Sequence, residues 1–242
     1  MSVKQNFNLL KWDTEQFGYK IASVRPVSLE QKNLELLINE LENINVKLAY
    51  CFVDPSDLIS NNSLINSGVF LADEKITFIT TIEKDSTFEF SSCIAPYKLN
   101  YTSEKLKSLA LQSGLYSRFK MDINFVNHEY EQLYSEWIDK SVKMEMADEI
   151  LVYYKEDDEK GFVTLNIKNG VGSIGLVAVD EKERGNSIGK ELMKAALWTF
   201  KNKGICTVEV VTQKANRIAC EFYKALGFTI GNVENIYHLW IK

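Results

Sequence analysis

The stretch IGLVAVDEKERGNSIGKELMKAAL, from Ile174 to Leu197, decides the fold. It begins with β-branched and other apolar residues typical of a strand, continues through a glycine-bearing loop and ends in apolar residues at helical spacing. In such a unit the loop and first helical turn present backbone N–H groups that have no intrahelical acceptor. The helix dipole adds partial positive charge at the same end. The segment therefore predicts a site for a pyrophosphate.

The side chains of the loop favour the same interpretation. Gly185 and Gly189 have no Cβ and allow an anion to approach the backbone closely. Arg184 and Lys190 add cationic side chains at the rim. The order of residues is neither GxxxxGK[ST] nor GxGxxG, the two commoner phosphate loops. A plain strand-to-helix turn is the alternative for this segment taken alone.

A second segment, TVEVVTQKANRIACEFYKALGF, runs from Thr207 to Phe228 and predicts a strand followed by a helix. Asn216 is suited to cap that helix, which by itself explains the residue type. Tyr223 lies on an apolar helix face, so a core aromatic is one interpretation of it.

Together the two segments resemble the GNAT superfamily of acetyltransferases. Arg184 to Gly189 resembles the family's acyl-CoA loop, [QR]xxGx[GA], and a strand, an asparagine, a helix and Tyr-x-x-x-Gly-Phe follow in the family's order. The departure is Ser187, where the family usually has glycine; its backbone N–H can still donate. The resemblance implies acetyl-CoA as acyl donor, no metal, and Tyr223 as the acid that protonates the leaving thiolate. The cofactor contacts that it implies are Val177, Ala178, Val179, Arg184, Gly185, Asn186, Ser187, Ile188, Gly189, Lys190, Asn216 and Tyr223.

Three further segments resemble one group within the superfamily. They are LLKWDTEQFGYKIASVRP (9–26), LYSRFKMDINF (115–125) and LYSEWIDKSV (133–142). They are similar to bacterial TDP-fucosamine (TDP-4-amino-4,6-dideoxygalactose) acetyltransferases and related nucleotide-amino-sugar acetyltransferases. This resemblance implies an amino-deoxysugar acceptor linked to a nucleotide, used in the synthesis of cell-surface glycans such as lipopolysaccharide.

Such an acceptor carries a pyrophosphate and a planar base, so it calls for a cation and an aromatic face. Tyr116, Ser117, Arg118 and Phe119 supply both, and arginine can hold phosphate in a bidentate way. The alternative is a loop that Phe119 anchors and in which Arg118 is solvated.

The resemblance also suggests an acidic base at Asp73, beside Glu74, although a solvated turn in ADEK is the favoured interpretation of both. A sugar amine should titrate nearer an α-amino group, at about pKa 7.7–8.0, than a lysine, so a weak base or a water relay suffices.

The predicted architecture is α/β (α+β), a mostly antiparallel twisted sheet flanked by helices. The resemblance implies a partial GNAT-like N-terminal domain, residues 1–98, packed on a complete GNAT domain, residues 99–242. A strand pair is predicted over Val69–Glu83, a helix over Lys98–Leu111 and a last strand over Asn235–Ile241. The stretches from Cys51 and from Val210 both run strand, helix, glycine, strand pair. They form either a weak internal repeat or a coincidence of common elements.

Bulk properties narrow the function classes. A net charge of −5 gives no basic footprint for nucleic acid. No stretch approaches the roughly 20 apolar residues of a membrane span, and the first residues lack a signal sequence, so a cytoplasmic protein is expected. The two histidines, His128 and His238, form no zinc or hydrolase pattern. All four cysteines are expected to be buried free thiols, with disulfides as the alternative; they are Cys51, Cys93, Cys206 and Cys220.

Alternatives stay open at this point. The acceptor could be a peptide, a polyamine or another small amine, or the chain could be a non-catalytic acyl-CoA-binding module. The oligomeric state is open too, a homodimer included.

Overall fold

The computed structural model describes residues 7–241, and within this range ten strands form one continuous sheet. The strands are β1 (Phe7–Leu9), β2 (Lys20–Val24), β3 (Val46–Val53), β4 (Phe70–Thr81), β5 (Ile94–Pro96), β6 (Glu149–Lys155), β7 (Asp158–Lys168), β8 (Val171–Val179), β9 (Thr207–Gln213) and β10 (Thr229–Trp240). The α-helices are α1 (Lys11–Phe17), α2 (Gln31–Asn43), α3 (Leu58–Asn66), α4 (Glu104–Ser113), α5 (Arg118–Met121), α6 (Glu129–Val142), α7 (Ile188–Asn202) and α8 (Arg217–Ala225).

The order of strands across the sheet is β1-β2-β3-β10-β4-β9-β8-β7-β6-β5. Only the β2–β3 and β8–β9 pairs are parallel; the other seven pairs in the described range are antiparallel. The prediction of a mostly antiparallel sheet is confirmed.

The strand pair predicted over Val69–Glu83 is wrong, because β4 is a single strand through the ADEK residues. Its charges have partners on neighbouring strands or loops instead of lying in a solvated turn. Glu74 pairs with Lys214 at 2.6 Å, and Lys75 lies 3.7 Å from Glu234 on β10. The last strand also begins earlier than predicted, at Thr229, and includes register shifts against β4.

Two segments share one order of elements. Residues 20–81 (the N-terminal repeat) run β2-α2-β3-α3-β4, and residues 171–240 (the C-terminal repeat) run β8-α7-β9-α8-β10. The helix caps Asp57 and Asn216 are 159 residues apart, and so are the starts of β4 and β10. The shared order of elements and the equal offset at these two positions support the internal repeat over coincidence.

The last strands of the two repeats are exchanged. β10 pairs with β3 of the N-terminal repeat, β4 pairs with β9 of the C-terminal repeat, and the two exchanged strands pair with each other. The exchange places side chains of β4 next to the C-terminal repeat. The division of the chain into domains at residues 98 and 99 stays a prediction.

Apolar cores lie on both sides of the C-terminal half of the sheet. On one side α7 and α8 bury apolar side chains, among them Leu192, Phe200 and Tyr223, against β4, β8 and β9. On the other side α4 and α6 cover Val152, Phe162 and other strand residues. Each large side chain buried in this way contributes about 1.5–3 kcal/mol to stability. The helix predicted from Lys98 begins at Glu104, because Ser103 caps it by accepting the Leu106 N–H at 2.9 Å.

The cysteine prediction is half right. All four thiols are free, and Cys51 and Cys220 are buried. Cys93 and Cys206 are exposed, because each lies in a surface connection immediately before a strand and not inside it. None of the described helices is both long and apolar enough to cross a membrane.

Candidate active site

A cleft opens between the two parallel strands of the C-terminal repeat. β8 and β9 pair from Val171–Thr207 to Ile174–Val210 and no further, although β8 continues to Val179. The backbone groups of Val177–Val179 that point towards β9 therefore have no ladder partner there. A bulge places Gly175 and Leu176 opposite one residue of β7, Thr164, whose hydroxyl accepts the Leu176 N–H at 2.8 Å.

The loop after β8 ends in a helix whose first turn lacks a side-chain cap. Ser187 is the N-cap of α7 and its side chain makes no capping bond. The N–H groups of Ile188, Gly189 and Lys190 lie in this first turn, where no intrahelical acceptor exists. Ser187 has a φ of 61°, the left-handed region that explains why similar loops carry glycine at this position.

The cationic side chains of the loop differ in how free they are. Arg184 is exposed but donates to the Val179 carbonyl at 3.2 Å and to the Gln112 side chain at 3.4 Å. It therefore ties the loop to the end of β8 and to α4. Lys190 is exposed at the first turn of α7. Gly185, with a φ of 85°, and Asn186 are also exposed.

The two sequence motifs meet at the entrance to α7. A Cβ built on Gly189 would lie 3.3 Å from the Phe222 ring of α8 and 3.7 Å from the Val179 side chain. The structure thus brings together the end of β8, the start of α7 and α8. Asn216 caps α8 by accepting the Ala219 N–H at 3.2 Å.

Tyr223 is buried on α8, where its ring lies 5.7 Å from Phe78 of β4 and 5.9 Å from Phe228. Burial, and secondly the neighbouring Cys220, raises the pKa of this phenol above its ordinary value. The phenol is therefore protonated at neutral pH and is able to donate a proton.

Asp73 lies in the interior of β4, so the solvated turn favoured from the sequence is wrong. The last β4–β9 pair is Lys75–Gln213, which places Asp73 two residues beyond it, on the side where the cleft opens. The carboxyl is 9% exposed, and its Oδ1 is buried without a hydrogen-bond partner. Burial raises its pKa to about 7, against opposing effects of Arg118 and Lys75.

Arg118 begins α5, which packs against β4. Its guanidinium carbon lies 3.8 Å from the centre of the Tyr50 ring and 4.5 Å from that of Phe119. The predicted alternative of a solvated Arg118 is therefore wrong. Ser117 is buried and its hydroxyl has no partner, while Tyr116 is exposed. Phe119 is half-buried among aromatic rings.

Two residues of this region have no motif in the sequence. His238 of β10 lies 3.1 Å from Arg118 through Nε2 and 2.6 Å from Asp122 through Nδ1. His238 and Asp122 are separated by 116 residues in the sequence and meet only in the folded chain. The only sequence feature that could have drawn attention to His238 is that it is one of two histidines in the chain.

The chemistry available at the site comes from backbone N–H groups, one carboxyl, one phenol and one guanidinium. No cluster of three or more potential metal ligands occurs among residues 7–241. A diphosphate fits the first turn of α7, because its donors are unpaired and no acidic side chain caps them.

Comparisons with known proteins agree with this geometry. Residues 115–228 match the model of the Acetyltransferase (GNAT) family. A mycothiol acetyltransferase from Thermobispora bispora is 34% identical over 67 residues, which are 28% of this chain and 23% of that protein. The chain thus matches less than a quarter of the length of that relative.

Solved structures show the same fold at low identity. A GCN5-related N-acetyltransferase from Sphaerobacter thermophilus superposes with a TM-score of 0.61 at 12% identity, over 98% of this chain and 76% of that one. A tandem GNAT protein from the clavulanic acid biosynthesis pathway gives a TM-score of 0.57 at 12% identity, over 92% and 75% of the two chains. The predicted GNAT fold is confirmed.

Proposed function

We propose that this chain, whose residues 115–228 match the model of the Acetyltransferase (GNAT) family, transfers the acetyl group of acetyl-CoA to the amine of a nucleotide-linked amino-deoxysugar. The observation that carries the proposal is the cleft between β8 and β9, which has an uncapped helix start at one end and a buried, unpaired carboxyl at its mouth. We place the reaction in the cytoplasm and connect it with the synthesis of cell-surface glycans.

The donor side follows from the unpaired backbone groups. The first turn of α7 would hold the pyrophosphate, and the free backbone of Val177–Val179 would pair with the amides of the pantetheine arm. Acetyl-CoA supplies an activated acyl group. A backbone N–H near the β8 bulge would stabilise the negative charge that develops on the carbonyl oxygen.

The acceptor side needs a base and an acid. Asp73, with a pKa of about 7, would accept a proton from the attacking amine. Tyr223, which is neutral at physiological pH, would donate its proton to the leaving thiolate. The two groups lie on different elements, the strand β4 and the helix α8.

Arg118 supports the choice of a nucleotide-linked acceptor. Its guanidinium carbon lies 3.8 Å from the centre of the Tyr50 ring and one of its nitrogens lies 3.1 Å from His238, so other donors stay available for a diphosphate. Tyr116 is exposed beside it and offers a ring on which a base could stack. The match to mycothiol acetyltransferase makes that protein's reaction the second activity to assay.

The test is thiol release from acetyl-CoA with TDP-amino-sugars, the free amino-sugars, the mycothiol acetyltransferase acceptor, polyamines and basic peptides. In the Arg118→Ala variant we expect the KM for a TDP-amino-sugar to rise about 10- to 150-fold, because a charge-assisted hydrogen bond is worth about 1.5–3 kcal/mol. The kcat should change less, because the contact exists in the ground state as well as the transition state.

Binding of acetyl-CoA to Arg118→Ala should equal that of wild type, which serves as the control. Equal activity on free and nucleotide-linked sugars would contradict the proposed acceptor. A polyamine or peptide that outcompetes both would replace it. Binding of acetyl-CoA without thiol release for any amine would indicate a non-catalytic acyl-CoA-binding module.

A further inference from the structure

Arg118 is held by a buried chain of polar groups that the proposed reaction does not use directly. The side chains of His238 and Asp122 are 0% and 1% exposed. Besides His238, the Asp122 carboxylate accepts the Trp240 indole N–H at 2.8 Å and the Asn124 backbone N–H at 3.0 Å. A buried carboxylate with this many donors is fully paired, which makes it a fixed point.

The partners allow only one arrangement of protons on His238. Although burial alone would raise the pKa of Asp122, hydrogen bonds from His238, Asn124 and Trp240 lower it to about 2. The carboxylate can therefore only accept, so His238 Nδ1 carries the proton. A guanidinium can only donate, so Nε2 must be the acceptor. Burial lowers the pKa of His238 to about 4, in agreement with a neutral ring.

The hydrogen-bonded side chains connect the two ends of one short helix to one strand. Arg118 is the first residue of α5 and Asp122 follows its last residue, while His238 and Trp240 lie on β10. His238 pairs with Tyr50 across the sheet, and Tyr50 is the ring that carries the guanidinium. The direction of Arg118 is thus set from one side by a ring face and from another by an imidazole nitrogen.

We propose that Asp122 and His238 are positioning residues that orient Arg118 for the diphosphate of the acceptor, and so determine acceptor specificity. The proposal rests on the proposed function for the identity of the ligand. Asp13 and Asp73 also act on the guanidinium, since its charge opposes the rise of both their pKa values. Without the His238 contact, we expect the guanidinium to turn towards these carboxylates and away from the ligand.

The experiment measures binding of thymidine diphosphate and of acetyl-CoA by calorimetry. In His238→Phe, which keeps a ring but removes both nitrogens, we expect the Kd for thymidine diphosphate to rise about tenfold and the Kd for acetyl-CoA to stay unchanged. His238→Gln offers an amide oxygen and an amide N–H, and should restore part of the affinity. Trp240→Phe is the matched control, because it removes one donor from Asp122 but leaves the link to Arg118.

Non-additivity separates positioning from a general loss of structure. If His238 acts only through Arg118, the double variant Arg118→Ala/His238→Phe should bind thymidine diphosphate as Arg118→Ala does. Nitrogen-15 spectra of the imidazoles should show His238 neutral with the proton on Nδ1, and the second histidine is assigned with His128→Gln. Melting temperatures verify that each variant is folded.

Each outcome decides between the two proposals. Equal affinity of wild type and His238→Phe for thymidine diphosphate, additive losses in the double variant, or a proton on Nε2 overturns the positioning role alone. A wild type that binds acetyl-CoA but not thymidine diphosphate overturns the nucleotide-linked acceptor, and the proposed ligand of Arg118 with it.

Discussion

The two repeats place the same elements around two parallel strand pairs, but only one pair opens. β2 and β3 pair from Lys20–Val46 to Val24–Cys51, and Val24 is the last residue of β2. β8 and β9 separate after Ile174, five residues before β8 ends. The same order of elements thus yields a closed strand pair in one repeat and a cleft in the other.

The loops that follow the first strand of each repeat also differ. In the N-terminal repeat, the loop N–H groups of Ser28 and Leu29 are taken by the Asp57 carboxylate at 3.0 Å and by the Ser60 hydroxyl at 2.7 Å. At the position 159 residues later, the carboxylate is replaced by the neutral amide of Asn216. The N–H groups of Ser28 and Leu29 are therefore not available to an external anion.

Substitution of Tyr223 has the largest expected effect. The corresponding residue of the N-terminal repeat is the buried Leu64, which has no hydroxyl. Tyr223→Phe keeps the ring and its packing on Phe78. If the phenol is the general acid, kcat should fall about 10²- to 10⁴-fold while acetyl-CoA affinity changes little. Steady-state kinetics and calorimetry measure both. A variant within threefold of wild type would leave Tyr223 as a core aromatic.

Gly189→Asp should place a carboxylate beside the loop of the open repeat, as Asp57 does beside Ser28 in the closed repeat. The carboxylate would lie beside the unpaired N–H groups of α7, and we expect acetyl-CoA affinity to fall at least about 100-fold. Acetyl-CoA should raise the melting temperature of wild type, and this increase should be absent in Gly189→Asp. Gly189→Ala separates charge from sterics, since its Cβ meets Phe222 at 3.3 Å. If acetyl-CoA raised the melting temperature of Gly189→Asp as much as that of wild type, the cofactor site would have to lie elsewhere.

Asp73 tests whether the N-terminal repeat supplies the base through its exchanged strand. With a pKa of about 7, the carboxyl becomes an active base as the pH rises through 7, so kcat/KM of wild type should rise over that range. Asp73→Asn should lower kcat/KM about 10- to 100-fold and flatten this rise. A pH profile that is unchanged in the variant would exclude Asp73 as the base.

The same residue should have an effect of opposite sign on stability. A carboxyl whose pKa is higher in the folded than in the unfolded state binds more protons when folded, so the free energy of unfolding decreases as the pH rises from about 4 to about 7. Asp73→Asn should therefore be more stable than wild type at pH 8, and the difference should shrink below pH 4. Thermal unfolding at the two pH values measures this.

The difference between the repeats also marks what sequence alone could predict. Local signals were sufficient for the β8–α7 unit. They failed where distant strands meet. The ADEK charges resemble a turn until β10 is beside them, and Asp122 and His238 are linked only through the fold.

The mildest changes, and the most direct test of the comparison, are single substitutions that give Asn216 the side chain of Asp57 and the reverse. Asn216→Asp introduces the carboxylate of the closed repeat without loss of a helix cap, since aspartate and asparagine cap almost equally well. Stability should therefore stay within about 0.5 kcal/mol of wild type. Acetyl-CoA affinity should fall about tenfold, because the new charge faces an anionic ligand and the amide donor is lost.

The reciprocal variant, Asp57→Asn, should behave in the opposite way. Asp57 Oδ2 accepts from both Ser28 N–H and the Ser60 hydroxyl, so the loss of its charge should cost about 1–2 kcal/mol of stability. It should not change acetyl-CoA affinity, and it should not create a second binding site, because β2 and β3 stay paired to the end of β2. Calorimetry that gave one site per chain for both variants would agree with a cleft that depends on strand separation. A second site in Asp57→Asn would show instead that the carboxylate alone keeps the N-terminal repeat closed to the ligand.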